Sequence, residues 1–162
     1  MSVPIRAGVL LGVLCTIWTF VMGVTGWYKD PVMLNLFFLV IPLEIGIVLW
    51  SLRKTAAGAT WGGQIVNGLV LSLVAGAIII AGSLVFTTVV FPTYFTDIKA
   101  AQTELLRARG LSETDLKTQV AAAAAMQTPL VNALSGFIGT VVTGVVVAAI
   151  AGLFLRKQRA QG

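Results

Sequence analysis

One acidic side chain lies inside the apolar part of the chain. Glu44 sits in the run from Val32 to Leu52, which holds no other ionisable group. A charge at the centre of a membrane span costs at least about 3 kcal/mol on insertion scales, so this carboxyl needs a proton or a partner. Glu44 lies about ten residues, or roughly 15 Å of helix at 1.5 Å per residue, from the basic pair Arg53 and Lys54. Thr16 stands a similar distance beyond Arg6, and Ser72 beyond Gly62. A small intramembrane polar cluster of Thr16, Glu44 and Ser72 is therefore expected. Intramembrane carboxylates often serve as proton or cation relays. A relay needs a second group to receive the proton, and the apolar runs contain no Asp, Lys, Arg or His. A neutral acid that fixes helix register through hydrogen bonds is the favoured expectation for Glu44.

Other reactive chemistry is sparse. The chain has no His and one Cys, which removes the commonest general base, His-containing metal sites, Cys/His nucleophile pairs and any internal disulfide. Cys15 reads as a small packing residue. Glu113 with Asp115, or Asp97 with Glu104, could form carboxylate pairs, but they alternate with Lys99, Arg107, Arg109 and Lys117 as solvated helix faces do. Haem or chlorophyll would find only weak ligands such as Met22, Met33 or Asn35. Phosphate-binding loops and zinc-helix motifs are absent. No cofactor, no metal and no enzymatic activity is expected. Asn35, Gln64, Asn67 and Asn132 stand near the ends of apolar runs and read as interfacial hydrogen-bonding residues rather than ligand-binding ones.

The elements that must position Glu44 follow from composition. Of 162 residues, 57% are hydrophobic and 10% charged, and the mean hydropathy is +0.96. A charged share under half the roughly 25% usual for soluble domains points to the bilayer. Four uncharged or nearly uncharged runs are long enough to span it: about 7–27, 32–52, 64–91 and 130–155. The first imitates a signal peptide, but it is too long and no small-residue cleavage pattern follows. Pro42 is expected to kink the second span, and the long third span to tilt or protrude. The fold class expected is all-α, an integral membrane four-helix bundle forming one membrane domain.

Between the third and fourth spans, at about 93–128, charges return. Ile98, Ala101, Leu105 and Ala108 recur at helical spacing, and Gly110 is placed to stop that helix. Ser112 with Asp115 resembles a capping box that starts a second helix through Leu116, Val120 and Ala124. A helical hairpin outside the membrane is expected.

The net charge of +5 suggests nucleic acid until its distribution is examined. Arg6, Arg53, Lys54, Arg156, Lys157 and Arg159 flank the apolar runs on one side with no acidic residue among them. The alternate loops hold five basic and five acidic residues. By the positive-inside rule both termini are cytoplasmic, and no nucleic-acid partner is expected.

Helix association in lipid depends on close packing at small residues. The last span carries Gly136, Thr140, Gly144, Ala148 and Gly152 in steps of four, the third Gly68, Ser72 and Gly76, and the first Gly8, Gly12 and Thr16. Packing within the chain is the favoured use of these faces. Docking of another membrane protein, or of a second copy, is the alternative.

Several stretches are similar to a known family. Gly63-Gln64 opening the third span, Phe91-Pro92-Thr93-Tyr94-Phe95, the turn from Leu106 to Glu113, and Thr128-Pro129 before a glycine-rich span ending Leu155-Arg156-Lys157 resemble the bacterial membrane family catalogued as domain of unknown function 4199. The resemblance is specific from about Trp61 onward. It implies a bacterial inner membrane and four helices with a charged helical insertion, and it carries no activity. The function expected is that of a non-enzymatic accessory or scaffold subunit, surrounded by membrane lipids and packed against a larger assembly. The alternative is a small proton-coupled transporter using Glu44.

Overall fold

The computed structural model describes residues 1–30 and 32–155, and the side chains of 125 and 126 are not among those described. The described residues are helical with no strand. They form α1 (Val3–Val24), α2 (Val40–Thr55), α3 (Trp61–Val85), α4 (Tyr94–Ala108), α5 (Glu113–Met126) and α6 (Pro129–Phe154). A 3₁₀ segment, Met33–Leu39, leads into α2, and a π-helical turn, Phe86–Val90, extends α3. Four stretches are long and apolar enough to cross a membrane: Val3–Val24, Met33–Thr55, Trp61–Val90 and Pro129–Phe154. The protein is an all-α membrane protein, with α4 and α5 forming the hairpin between its third and fourth apolar helices. The basic cluster Arg156, Lys157 and Arg159 lies outside the described residues.

Local sequence sets the helix ends. Pro4 is the second residue of α1, in the first turn, where its missing N–H would be unpaired anyway. Thr60 accepts a hydrogen bond from the Gly63 N–H at the start of α3, and Thr128 accepts one from Val131 N–H at the start of α6, with Pro129 following it. Ser112 accepts from Asp115 N–H to open α5. Gly110 turns the chain between α4 and α5 at φ +75°, a conformation that disfavours side chains with a Cβ.

The expected kink at Pro42 takes a different form. Pro42 falls in the first turn of α2, where its absent N–H breaks no ladder, and the irregularity lies upstream in the 3₁₀ segment. A seven-residue 3₁₀ run is long for that geometry, whose hydrogen bonds are poorer than those of an α-helix.

In the packing, α3 lies between α1 and α6, and α2 closes the arrangement by touching both α1 and α6. Small residues set the two tightest contacts. A Cβ added at Gly8 would stand 2.5 Å from the Leu71 carbonyl, and one at Gly12 would stand 2.7 Å from Ile78 Cβ, both on α3. Gly68 faces Ala148, Gly76 faces the Phe137 ring, Gly144 faces Ser72, and Gly152 lies against Gln64 and Trp61. Gly136 is more loosely set, with Ile79 Cγ2 at 3.3 Å. The four-residue ladder of α6 is thus spent largely on α3. Its opposite face, including Ile138, Val142, Val146 and Ile150, is exposed and apolar, as a lipid-facing stripe should be.

The main apolar core joins Ala7, Leu11 and Cys15 with Ile47, Val48, Leu52, Leu71, Ala75 and Ala148. These positions run from the middle of the helices toward the end of the molecule bearing Arg6, Arg53 and Lys54. A second, aromatic cluster at the hairpin end gathers Tyr28, Phe86, Tyr94 and Ile98, with Phe20, Phe37, Phe91 and Phe95 packed on it.

Candidate functional site

Between these two clusters the helices separate around a cavity of about 410 Å³. Its walls come from every packed element. Thr16 and Thr19 project from α1, Leu34 and Phe37 from the 3₁₀ segment, Val40 and Glu44 from α2, and Ile79 and Ser83 from α3. Phe86, Tyr94, Phe95 and Ile98 supply an aromatic and apolar side. Gln102, Gln127, Asn132 and Ser135 stand at the hairpin end, and Asn132 and Ser135 are exposed. The lining therefore runs from the hairpin to Glu44 and Cys15, where it meets the apolar core.

Glu44 is 5% exposed, and its Oε1 has no hydrogen-bond partner among the described residues. The hydroxyl of Thr16, another lining residue, is likewise unpartnered among the described residues and lies toward Gly82 on α3. Buried polar atoms are almost always paired, so two orphans on residues lining one cavity are notable features of this structure.

The expected trio does not form a hydrogen-bonded cluster. Ser72 is fully buried and unpartnered, but it is not in the cavity lining, and it packs against Gly144 in the α3–α6 contact. Depth counting places residues at a common level but says nothing of their direction around each helix. Thr16 and Glu44 share the cavity, and Ser72 faces away from it. Of the remaining small residues of α6, Thr140 is buried and Gly136 partly so, and both line the cavity.

The two ends of the site are tied by residues that sequence reading left as interfacial or solvated. Gln64 is fully buried, and its Nε2 donates to the carbonyls of Leu52 at 3.0 Å and Leu155 at 2.8 Å, joining the ends of α2 and α6. Its Oε1 accepts from Thr55 Oγ1 at 2.9 Å. Carbonyls of a last helical turn lack partners within the helix, and one amide here serves two of them.

At the hairpin end, Asp97 is not on a solvated face. Its carboxylate accepts from the Tyr28 hydroxyl at 2.8 Å and from Thr93 at 3.2 Å, and pairs with Lys29 Nζ at 3.1 Å. The Tyr28 hydrogen bond, with those from Lys29 and Thr93, holds the Asp97 carboxyl below its ordinary range despite some desolvation. Lys29 is raised, first by its hydrogen bond to Asp97. Burial, then the hydrogen bond to Asp97, raises Tyr28. Tyr94, stacked at 5.0 Å from Tyr28, is pushed up to about 12 by burial and then by Tyr28. This tie spans 69 residues of sequence, and the amide pair Gln127 to Gln102, at 2.9 Å, fastens the far side of the hairpin.

Among the described residues, no group of three or more His, Cys, Asp or Glu side chains is placed to hold a metal ion. No curated protein and no solved structure matches the chain. A family model described as protein of unknown function (DUF4199) matches residues 6–157. The chain belongs to the DUF4199 family.

Proposed function

We propose that this protein is a small proton-coupled membrane transporter in which Glu44 is the protonation site. The observation that carries the reading is a cavity lined by Glu44, a buried carboxyl with one oxygen that has no partner among the described residues. A carboxyl with no counter-charge in hydrocarbon is stable as the neutral acid, and a route to water lets it exchange that proton. The positive-inside pattern supports a bacterial inner-membrane location with both termini cytoplasmic and the hairpin on the other side. In that orientation the cavity is reached from the non-cytoplasmic side, and the core together with the Gln64 clamp lies toward the cytoplasmic side.

The accessory-subunit reading rested on an excess of small-residue faces. Most of these faces meet partners within the chain, at Gly8, Gly12, Gly68, Gly76, Gly144 and Gly152. Less is left to motivate an external partner, and the cavity would have no role in a scaffold. The test is an acid pulse on proteoliposomes that contain the full chain and are loaded with potassium and tetraethylammonium salts as exchange partners. The transporter reading expects proton uptake that Glu44→Gln abolishes, whereas an accessory subunit would show the same background before and after substitution.

A further inference from the structure

We propose that the cavity binds a lipophilic organic cation, a quaternary or protonated amine-type ligand that exchanges for the proton of Glu44. The inference rests on the transport reading and names its substrate class. Among the described residues the lining contains no Lys or Arg, so an anion would meet only the carboxyl and find no counter-charge there. Glu44 is buried, lines the cavity and carries an oxygen with no hydrogen-bond partner among the described residues, and Phe37, Phe86, Tyr94 and Phe95 line the same space. A carboxylate that shares a cavity with aromatic residues can recognise a monocation by ion pairing and by attraction to the ring faces. The volume, about 410 Å³, falls within the roughly 300–1,000 Å³ of pockets that take small organic ligands. A hard metal ion takes about six or more oxygen ligands. Its sites usually include several carboxylates, and Glu44 is the one carboxyl among the described lining residues.

The exchange balances. The O–H bond of the Glu44 carboxyl breaks, the proton leaves to cavity water, and the ligand cation takes its place beside the carboxylate, so one positive charge replaces another. The other titratable side chains in the lining are Cys15 on α1 and Tyr94 on α4, while α3 and α6 contribute none. Neither is needed in the exchange. Among described charged groups near the mouth, Lys29 and Asp97 are paired with each other.

The probe is tetraphenylphosphonium, whose charge is fixed, so any pH dependence belongs to the protein. Its control is tetraphenylborate, of the same shape and opposite charge. Titration calorimetry of the full chain in mild detergent, run in two buffers of different ionisation enthalpy, is expected to show saturable phosphonium binding with release of one proton. Where Glu44 is protonated, affinity is expected to fall about tenfold per unit of acidification. Glu44→Gln is expected to weaken binding by at least about tenfold, equivalent to ~1.4 kcal/mol. Glu44→Asp is expected to retain part of it. Equal uptake of phosphonium and borate by the wild-type chain would overturn the assignment even if the variants fail to fold, and so would unchanged phosphonium binding by Glu44→Gln. Absence of phosphonium binding alongside Glu44-dependent proton uptake overturns the cation assignment alone. Absence of that proton uptake overturns the transport reading beneath it.

Discussion

Gly144 on α6 faces Ser72 on α3 so closely that a methyl group at position 144 would overlap the Ser72 hydroxyl. That hydroxyl is fully buried and unpartnered, so the contact brings two helix backbones together while leaving one polar atom unsatisfied. In lipid, where helix association gains little from the hydrophobic effect, approach of this kind supplies much of the attraction.

Gly144→Ala is therefore expected to lower stability in detergent by about 1–3 kcal/mol through overpacking. Ser72→Ala removes an orphan hydroxyl and is expected to be neutral or stabilising by up to about 1 kcal/mol. The double variant should recover at least half of the loss, because the clashing oxygen is gone although Ser72 Cβ, 3.0 Å from the added methyl, remains. Thermal unfolding of the three variants measures this, and strict additivity would contradict the contact.

Replacing Gln64 by Leu keeps bulk but removes both donors to the Leu52 and Leu155 carbonyls. A loss of about 1–3 kcal/mol is expected, chiefly from the stranded Leu155 carbonyl, since Leu52 still accepts from Thr55 Oγ1 at 3.2 Å. Amide exchange should speed up at the ends of α2 and α6 and stay unchanged in the hairpin. Uniform acceleration would show that the amide does not act as a local clamp.

The Asp97 tie predicts a pH dependence with a definite sign. A carboxyl lowered in the folded state contributes fully above its unfolded value, near 3.9, and the contribution is lost as pH falls through the lowered folded value. Lys29 is raised, so its share persists through neutral pH and is lost only as pH climbs through its folded value. Asp97→Asn is expected to destabilise the chain at pH 7 by about 1 kcal/mol, the scale of a partly exposed charged contact. The gap from wild type should close as the pH drops below the ordinary carboxylate range. A gap that widens in acid would reverse the sign and refute the tie.

The four apolar runs were legible because length and lack of charge are local properties, and the helices at Val3–Val24, Met33–Thr55, Trp61–Val90 and Pro129–Phe154 follow them. Glu44 was conspicuous for the same reason. The partners were not legible. Tyr28 and Asp97 meet across 69 positions, and no local pattern encodes that pairing. Gln64 looked interfacial because its place near a span end is visible in sequence, whereas the bare carbonyls of two other helices are not. Ser72 was chosen by depth alone, and it packs on Gly144 and does not line the cavity. The cavity is a property of imperfect packing where the 3₁₀ segment and the π turn flank the bundle, and neither irregularity has a sequence signal as plain as Pro42.

Glu44→Gln is nearly isosteric and keeps a polar group at the cavity wall. It is expected to leave thermal stability within about 1 kcal/mol of wild type, since the carboxyl makes no ion pair whose loss would strand a charge. Thermal unfolding beside the acid-pulse assay separates loss of proton uptake from loss of fold.

Carbodiimide labelling, with the modified residue mapped by mass spectrometry, reports on the chemistry of Glu44 itself. Carbodiimides attack protonated carboxyls in apolar, reachable surroundings. The native chain in membranes is expected to be modified at Glu44, faster in acid than in alkali, and protected by tetraphenylphosphonium. Modification of the exposed hairpin carboxylates alone, with Glu44 reacting only after unfolding, would contradict a cavity that brings solution to this carboxyl.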